Sequence, residues 1–204
     1  MTDDELAFWL AQRAGKLTAS RMSDAISFKR NGDESEARAK LKMELVAERM
    51  TGDSVRHFVN DAMKHGLETE PEAKAEFELR SGIMLTSCGF YDHPDIEYFG
   101  ATPDGLVASD AVAEFKCPTT TTHLRWMMDG GVPEQHKPQI LAQLACTGRR
   151  KAYFASYDPR IKKESARMFW CEWEPDTGEI ARIEEAARKF LAEVDELFQR
   201  VTGA

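Results

Sequence analysis

The chain has 204 residues, of which 42% are hydrophobic and 30% charged, so it can bury one substantial core but is too short for two comfortable domains. Its formal net charge of -8 argues against indiscriminate nucleic-acid binding, which needs many Lys and Arg contacts to phosphate. No apolar run is long enough to span a membrane, and the start is acidic where a signal peptide would be basic. We therefore expect a cytoplasmic protein without a membrane partner.

The N-terminal part of the chain, about residues 1–82, is predicted to be helical. Thr2-Asp3-Asp4-Glu5 is a typical helix start, and a second, shorter helix begins near Ser20. A polar loop from Phe28 to Glu36 separates this part from a long helix that ends at Thr51-Gly52. The predicted helices cover about residues 2–15, 20–26, 35–50, 55–66 and 70–80.

The middle of the chain, about residues 83–175, shows the short apolar runs typical of strands. A final segment over residues 177–202, rich in Glu, Ala and Leu, is predicted to be a long helix. This order predicts a single α/β domain with a mixed central sheet and helices on both faces. The predicted strands are residues 84–90, 98–101, 105–107, 111–116, 150–157 and 168–173, with helices over 122–128 and 138–147.

One group of charged residues in the strand region is of the kind found in the active sites of metal-dependent hydrolases. Alternation along the strand places Glu114 and Lys116 on one face and Phe115 on the other. If the turn at Asp104 folds back beside this strand, Asp104 and Glu114 can hold one divalent cation, with the Phe115 carbonyl as a third ligand. Lys116 could then orient a metal-bound water and help to deprotonate it.

The same spacing also occurs in ordinary hairpins, where Asp, Glu and Lys form a solvated, salt-bridged face. The flanking sequence favours chemistry, because Val112, Phe115 and Cys117 surround the charged residues. Charges inside an apolar run are costly unless they are paired or bound to a metal.

Several motifs in order resemble a known family. They are Gly66-x-x-x-Glu70-x-x-Ala73, Thr102-Pro103-Asp104-Gly105, Glu114-Phe115-Lys116-Cys117-Pro118, Ala142-Gln143-Leu144 and the run from Tyr153 to Arg160. Together they resemble the lambda exonuclease and YqaJ-type viral recombinase family of the PD-(D/E)XK nuclease superfamily, over about residues 9–158. The resemblance implies a restriction-endonuclease-like core.

It also implies an activity. Such enzymes use Mg²⁺, for which Mn²⁺ can substitute, and degrade one strand of double-stranded DNA from an end carrying a 5′-phosphate. The remaining 3′ overhang serves phage-type recombination by strand annealing. The resemblance further implies a ring-shaped homotrimer, a single-strand annealing recombinase as partner, and a phage or prophage origin in a bacterial cytosol.

The resemblance extends the catalytic set beyond Asp104, Glu114 and Lys116. It implies that Glu70 completes a second metal site or orients its waters, and that Gln143 contacts the scissile phosphate or Lys116. Without the resemblance, the preferred interpretation of Glu70 is a charge favoured by a helix N-terminus, and Gln143 is equally well a buried amide bonded to backbone.

DNA-binding residues follow from the resemblance in the same way. The segment from Arg13 to Ser20 resembles the family's 5′-phosphate pocket, and Arg and helix-start amides suit an anion on physical grounds. Arg13 could instead be a helix-end cation, Ser20 an N-cap, and Met63 core filler rather than a wedge in the duplex. The DNA-contacting residues implied by the resemblance are Arg13, Thr18, Ser20, Arg30, Met63 and Thr102.

Three points remain open at this stage. After Cys117-Pro118, Thr119 to Thr122 and His123 replace a segment in which the family carries an arginine, and Arg125 is the candidate to replace that arginine. An endonuclease or a Cas4-like nuclease is an alternative, although the absence of a cysteine cluster disfavours the latter. A non-catalytic DNA-binding module is disfavoured by the complete catalytic set.

The histidines show no ligand spacing, and Arg160-Ile161-Lys162-Lys163 is typical of solvated surface.

Overall fold

The computed structural model describes residues 3–54 and 61–203. Within them, helices dominate the N-terminal part and strands the middle, as the sequence predicts. No helix in these two ranges is both long and apolar enough to cross a bilayer. The helices are α1 (Asp3–Arg13), α2 (Met22–Ala25), α3 (Glu36–Thr51), α4 (Asp61–Ser81), α5 (Thr120–Asp129), α6 (Lys137–Thr147) and α7 (Thr177–Thr202). The strands are β1 (Leu17–Thr18), β2 (Tyr91–Asp92), β3 (Phe99–Ala101), β4 (Gly105–Val107), β5 (Ala111–Lys116), β6 (Lys151–Tyr157) and β7 (Met168–Trp173).

The larger sheet is mixed and has the strand order β4-β5-β6-β7. β5 and β6 are parallel, with Lys116 opposite Ser156, and β4 and β7 are antiparallel to their neighbours. Helix α4 packs on one face through Ala73 and Phe77, and α6 packs on the other through Ile140 and Leu144. The predicted mixed α/β architecture with helices on both faces is therefore confirmed.

Helix α6 is buried on two sides, which makes it a rigid support for the sheet. Ile140 and Leu144 join the core beneath the larger sheet, whereas Leu141 and Ala145 join a second core with α3 and α7. Burial of both faces leaves little freedom to rotate, because every rotation would open a void. Side chains that α6 directs at β5 are therefore held in a fixed register.

A second, smaller sheet with the order β1-β3-β2 was not predicted. Its strands are short, and β1 has only two residues, so no alternating pattern marks it in the sequence. Thr18 of β1 lies opposite Gly100 of the parallel strand β3. This pairing places the residues that follow α1 beside β3, the strand that leads into the turn containing Asp104.

Two element predictions are wrong. The predicted strand over 84–90 is an irregular segment with one isolated bridge from Thr86 to Leu106, followed by β2. The predicted break between helices at 66–70 does not exist, because α4 continues through Gly66 and Pro71. A glycine inside a helix costs about 1 kcal/mol and a proline about 3 kcal/mol or more, and the burial of Ala73 and Phe77 against the sheet offsets this cost.

Candidate active site

The turn after β3 places Asp104 beside β5, as the sequence analysis required. The Asp104 amide donates to the Ala113 carbonyl at 3.1 Å, and the Asp104 Oδ2 accepts from the Phe115 amide at 2.7 Å. These two hydrogen bonds join residues on either side of Glu114. The Asp104 carboxylate is consequently fixed to the strand that carries Glu114 and Lys116.

Strand β5 divides its side chains between the two faces in the predicted way. Phe115 points toward α4 and makes an edge-to-face contact with Phe77, with ring centroids 5.4 Å apart. Glu114 points toward α6 and is only 1% exposed. Lys116 lies on the same face, with its Nζ 2.5 Å from Glu114 Oε1. We call Asp104, Glu114 and Lys116 together the acidic site.

Two amide side chains from α6 hold the Glu114 carboxylate. Gln139 donates to Oε1 at 2.7 Å, and Gln143 donates to Oε2 at 2.6 Å. The two glutamines are one helical turn apart, so both face β5. The Gln143 amide nitrogen thus binds a carboxylate rather than backbone, and the contact with the scissile phosphate or Lys116 stays a prediction.

The buried Asp104 carboxylate of the acidic site lies near other negative charges. Burial, and then repulsion from Glu114 and Glu70, raise the pKa of Asp104 well above its usual range, although Lys116 opposes the change. Burial lowers the pKa of Lys116, but the attraction of Glu114 and Asp104 outweighs it and the net shift is upward. Lys116 is therefore a cation at neutral pH, enclosed by carboxylates.

Glu70 lies near this group on α4, at the other side of the strand end. It forms an ion pair with Lys74, one turn along the helix, at 2.6 Å. Its negative charge raises the pKa of both Asp104 and Cys117, and burial raises the latter further, to about 12. Because Glu70 lies well inside α4 rather than at its N-terminus, the helix-dipole explanation of this residue is wrong.

The donor set fits a hard divalent cation. No group of three His, Cys, Asp or Glu residues within the described ranges is already arranged at metal-ligand spacing. However, the charges of Glu114 and Glu70 both act on the buried Asp104 carboxylate, and oxygen ligands of this kind suit Mg²⁺. The Gln143 Oε1 is buried without a hydrogen-bond partner, which leaves an acceptor beside Glu114.

A second group, which we call the Arg13 pocket, consists of Arg13, Thr18, Ser20 and Thr102. Arg13 donates to the Thr102 hydroxyl at 3.0 Å and stacks on the Trp9 ring at 4.1 Å. The hydroxyls of Thr18 and Ser20 are 3.2 Å apart. Because β1 and β3 are parallel, residues that follow Thr18 and Gly100 emerge at the same sheet edge.

The Arg13 guanidinium is partly removed from solvent in this pocket, whereas the Ser20 side chain is exposed. Burial lowers the pKa of Arg13 to about 10, and Glu48 opposes this change. Ser20 is exposed and lies inside a short 3₁₀ helix whose N-cap is Thr18, so the N-cap alternative for Ser20 is wrong. Arg13 occupies the last turn of α1, so its position is compatible with the alternative role of a helix-end cation.

Arg30 and Arg125, two further residues singled out in the sequence, are both exposed. Arg30 is exposed in the turn between Phe28 and Glu34, which form an isolated bridge. Met63 is on α4, but its side chain lies outside the described residues. Arg125 is exposed on α5 and forms no ion pair with any residue of the described ranges, so nothing links it to the acidic site.

The sequence analysis missed two residues near the acidic site. Gln139 was not singled out, although its spacing of four from Gln143 on a predicted helix was a usable signal. His136 was dismissed with the other histidines, yet it stacks on Phe154 with ring centroids 5.5 Å apart. Burial, and then the charge of Lys116, lower the pKa of His136 to about 4, so it is neutral beside the site.

Comparison with known proteins gives consistent matches. The YqaJ-like viral recombinase domain matches residues 8–150. The crystal structure of an alkaline exonuclease, LHK-Exo, from Laribacter hongkongensis is 36% identical with a TM-score of 0.87, over 96% of this chain and 95% of that one. The structure of LHK-Exo in complex with dAMP matches with the same identity and TM-score, over 95% of each chain.

A more distant structure supports the fold alone. A phage-related exonuclease from Haemophilus somnus 129PT is 14% identical with a TM-score of 0.65, over 91% of this chain and 96% of that one. No curated protein sequence matches the chain significantly.

Proposed function

The chain belongs to the YqaJ-like viral recombinase family, and we propose that it is a Mg²⁺-dependent exonuclease that degrades one strand of double-stranded DNA from 5′ to 3′. The observation that carries this proposal is the acidic site, where Asp104, Glu114 and Lys116 are held together at the end of β5. The similar exonuclease LHK-Exo forms a complex with dAMP, and a mononucleotide is what an exonuclease releases. Its product here would be a duplex with a 3′ overhang.

The metal would be held by the carboxylates of Asp104 and Glu114 and by the Phe115 carbonyl, with Glu70 as a further ligand or as the residue that orients water. A bound Mg²⁺ ion, or Mn²⁺ in its place, lowers the pKa of its water and stabilises charge on the phosphate. Oδ2 of Asp104 accepts the Phe115 amide, and Oδ1 accepts no hydrogen bond from the residues that the structure describes. The repulsion among the carboxylates is the reason for expecting a cation.

The remaining residues of the acidic site would position the reacting groups. The Lys116 ammonium lies beside Glu114, where it can orient the attacking oxygen and balance charge on the phosphate. Gln143 and Gln139 hold Glu114 in one orientation, so the carboxylate need not reorganise during the reaction.

The Arg13 pocket would bind the terminal 5′-phosphate. Arg13 supplies charged, planar donors, and Thr18, Ser20 and Thr102 supply hydroxyls at the same sheet edge. A terminal phosphate carries more charge than an internal diester and gains more from such donors. Arg30 and Met63 would contact the duplex outside the pocket.

Assembly and pathway follow from family membership alone. We propose a ring-shaped homotrimer around the DNA and a single-strand annealing recombinase as partner in the bacterial cytosol, where a phage or prophage would use both. Size measurement of the purified protein in solution tests the first of these.

The experiment that tests the function compares linear and closed circular duplexes, each with and without Mg²⁺. We expect digestion of linear DNA only, with early loss of a label near the 5′ end and late loss of one near the 3′ end, and no digestion after chelation. An Asp104→Asn preparation controls for contaminating nucleases. Cutting of the closed circle would instead establish an endonuclease, and digestion from the 3′ end would reverse the proposed polarity.

A further inference from the structure

The loop between β6 and β7, residues 158–167, is a basic segment at the same sheet edge as the acidic site. Because β5 and β6 are parallel with Lys116 opposite Ser156, the residues that follow each strand emerge side by side. Pro118 is two residues beyond Lys116, and Asp158 is two beyond Ser156. Two residues span at most about 7 Å, so this loop begins close to the catalytic strand end.

The loop is fixed in place by buried polar groups. Asp158 is completely buried and accepts hydrogen bonds from Thr120 Oγ1 at 2.5 Å and from Arg160 Nε at 2.6 Å. Arg160 also donates to the Pro118 carbonyl at 2.7 Å, which ties the loop to the chain just after Lys116.

A buried histidine fixes the other end of the loop. His123 is completely buried and bridges the Ser156 hydroxyl at 2.7 Å and the Ala166 carbonyl at 2.9 Å. Nε2 must donate to the carbonyl, because a carbonyl oxygen can only accept, and Nδ1 shares the second hydrogen bond with the Ser156 hydroxyl. His123 therefore has a structural role here.

The charge of this rigid loop is opposite to that of the protein. It contains four basic and two acidic residues, whereas the whole chain has a net charge of -8. Lys162 and Lys163 are exposed at its tip, and neither forms an ion pair or side-chain hydrogen bond with any part of the chain that the structure describes. Two cations that have no partner among the described residues are thus carried by a loop whose base, at Asp158 and Arg160, adjoins the end of β5.

We propose that Lys162 and Lys163 bind the phosphate backbone of the duplex next to the acidic site, an assignment that rests on the proposed nuclease function. The negatively charged site repels DNA when no metal is bound, and nearby cations offset that repulsion. A lysine acts as a flexible point charge, so these contacts are independent of base sequence. A partner here must be a polyanion, and DNA is the polyanion that the adjacent chemistry consumes.

The test is the salt dependence of duplex binding, measured by fluorescence anisotropy with EDTA so that no DNA is cut. Each lost phosphate contact lowers the slope of log affinity against log salt by about 0.9. We expect the double variant Lys162→Ala/Lys163→Ala to lower the slope by roughly two, so that from 50 to 200 mM salt it loses roughly tenfold less affinity than the wild type. Methylphosphonate substitution of single phosphates should weaken wild-type binding at one or two positions and leave the variant unaffected there.

The matched control is Lys40→Ala/Lys189→Ala, which removes two lysines that are 73% and 71% exposed elsewhere. It should keep the wild-type slope and melting temperature. An unchanged slope in the loop variant, as expected if the loop instead binds an acidic protein, would overturn the proposal, and so would an equal change in the control. A wild type that shows the loop-dependent slope but never cuts linear DNA with Mg²⁺ would overturn the proposed function and leave the loop assignment standing.

Discussion

The acidic site and the Arg13 pocket are built in different ways, although only Pro103 separates a residue of one from a residue of the other. Both oxygens of Glu114 in the acidic site are held by side chains from strand β5 or from the doubly buried helix α6. In the Arg13 pocket, Thr18 and Ser20 lie on a two-residue strand and a short 3₁₀ helix, and Ser20 is exposed. The proposed chemistry therefore lies on rigid elements, and the proposed recognition of the strand end lies partly on short, exposed ones.

This difference predicts that substitutions in the acidic site lower the rate of cleavage, whereas those in the Arg13 pocket lower discrimination between DNA ends. The largest effect should come from Asp104→Ala. Removing one of the few available ligands should abolish Mg²⁺-dependent cleavage in single-turnover assays while DNA binding survives. Asp129→Ala, at the exposed end of α5, is the control and should cleave normally. Activity above a few per cent in clean Asp104→Ala protein would contradict the assignment.

The second prediction concerns Lys116→Ala. A residue that positions or transfers a proton contributes roughly 10²- to 10⁴-fold, so the single-turnover rate should fall by that factor while folding is retained. Lys151→Ala changes a lysine on the same sheet opposite Ala111, at the other end of the β5–β6 pairing, and should have little effect. A loss below tenfold would assign Lys116 to charge balance alone.

The third prediction concerns the two glutamines that hold Glu114. Residues that support a metal ligand typically contribute about 10- to 100-fold to metal affinity or activity, and we expect losses in this range for Gln139→Ala and Gln143→Ala. The concentration of Mg²⁺ needed for half-maximal cleavage should rise as well. Gln199→Ala, on the exposed face of α7, is the control. If only Gln143→Ala is impaired, Gln139 has no role in positioning Glu114.

The fourth prediction distinguishes the Arg13 pocket from the acidic site. Charge-assisted hydrogen bonds contribute roughly 1.5–3 kcal/mol, so wild-type protein should prefer a 5′-phosphorylated duplex to a 5′-hydroxyl one by about tenfold or more. Arg13→Ala should be slow on both and lose most of this preference, whereas the exposed Arg150→Ala should keep it. Equal wild-type rates on the two duplexes would return Arg13 to the role of a helix-end cation.

The smallest effect, on thermal stability, should differ in sign between the two regions. Because burial and neighbouring carboxylates disfavour the ionised form of Asp104, Asp104→Asn should raise the melting temperature of metal-free protein by a few degrees. Arg13→Ala should lower it, since the contact with Trp9 is lost. For a domain of this size each kcal/mol corresponds to roughly 2–4 °C. Mg²⁺ should stabilise the wild type and not Asp104→Asn; a lower melting temperature for Asp104→Asn would show that repulsion is not the dominant effect.

Sequence patterns were sufficient to place Glu114 and Lys116 on one face of β5, because the signal for this strand is local. The alternation over residues 111–116 fixes which face carries Glu114, and the structure has this strand with the predicted bounds. The long helices α3 and α7 were equally accessible, since Ser35 and Asp176 are capping residues at their starts. In each case the residues that decide the structure are within a few positions of one another.

Features that depend on contacts between distant parts of the chain could not be predicted from local sequence patterns. The apolar residues between 84 and 90 suggested a strand, but a strand needs a partner, and only Thr86 pairs, with Leu106. The two residues of β1 are too few to show a period. The spacing of Gln139 and Gln143 indicates that they share a helix face, but their contact with Glu114 depends on how α6 packs against β5.

The segment Thr102-Pro103-Asp104 has a consequence for the products of the proposed enzyme. Thr102 contacts Arg13, Asp104 is bonded to β5, and the buried Pro103 between them has one fixed backbone dihedral. The Cα atoms of Thr102 and Asp104 can be at most about 7 Å apart, whatever DNA is bound. If the end of a DNA strand is bound beside Thr102 and cut beside Asp104, each cut removes the same length of DNA. The backbone of these three residues would then set the length of the released fragment for every base sequence.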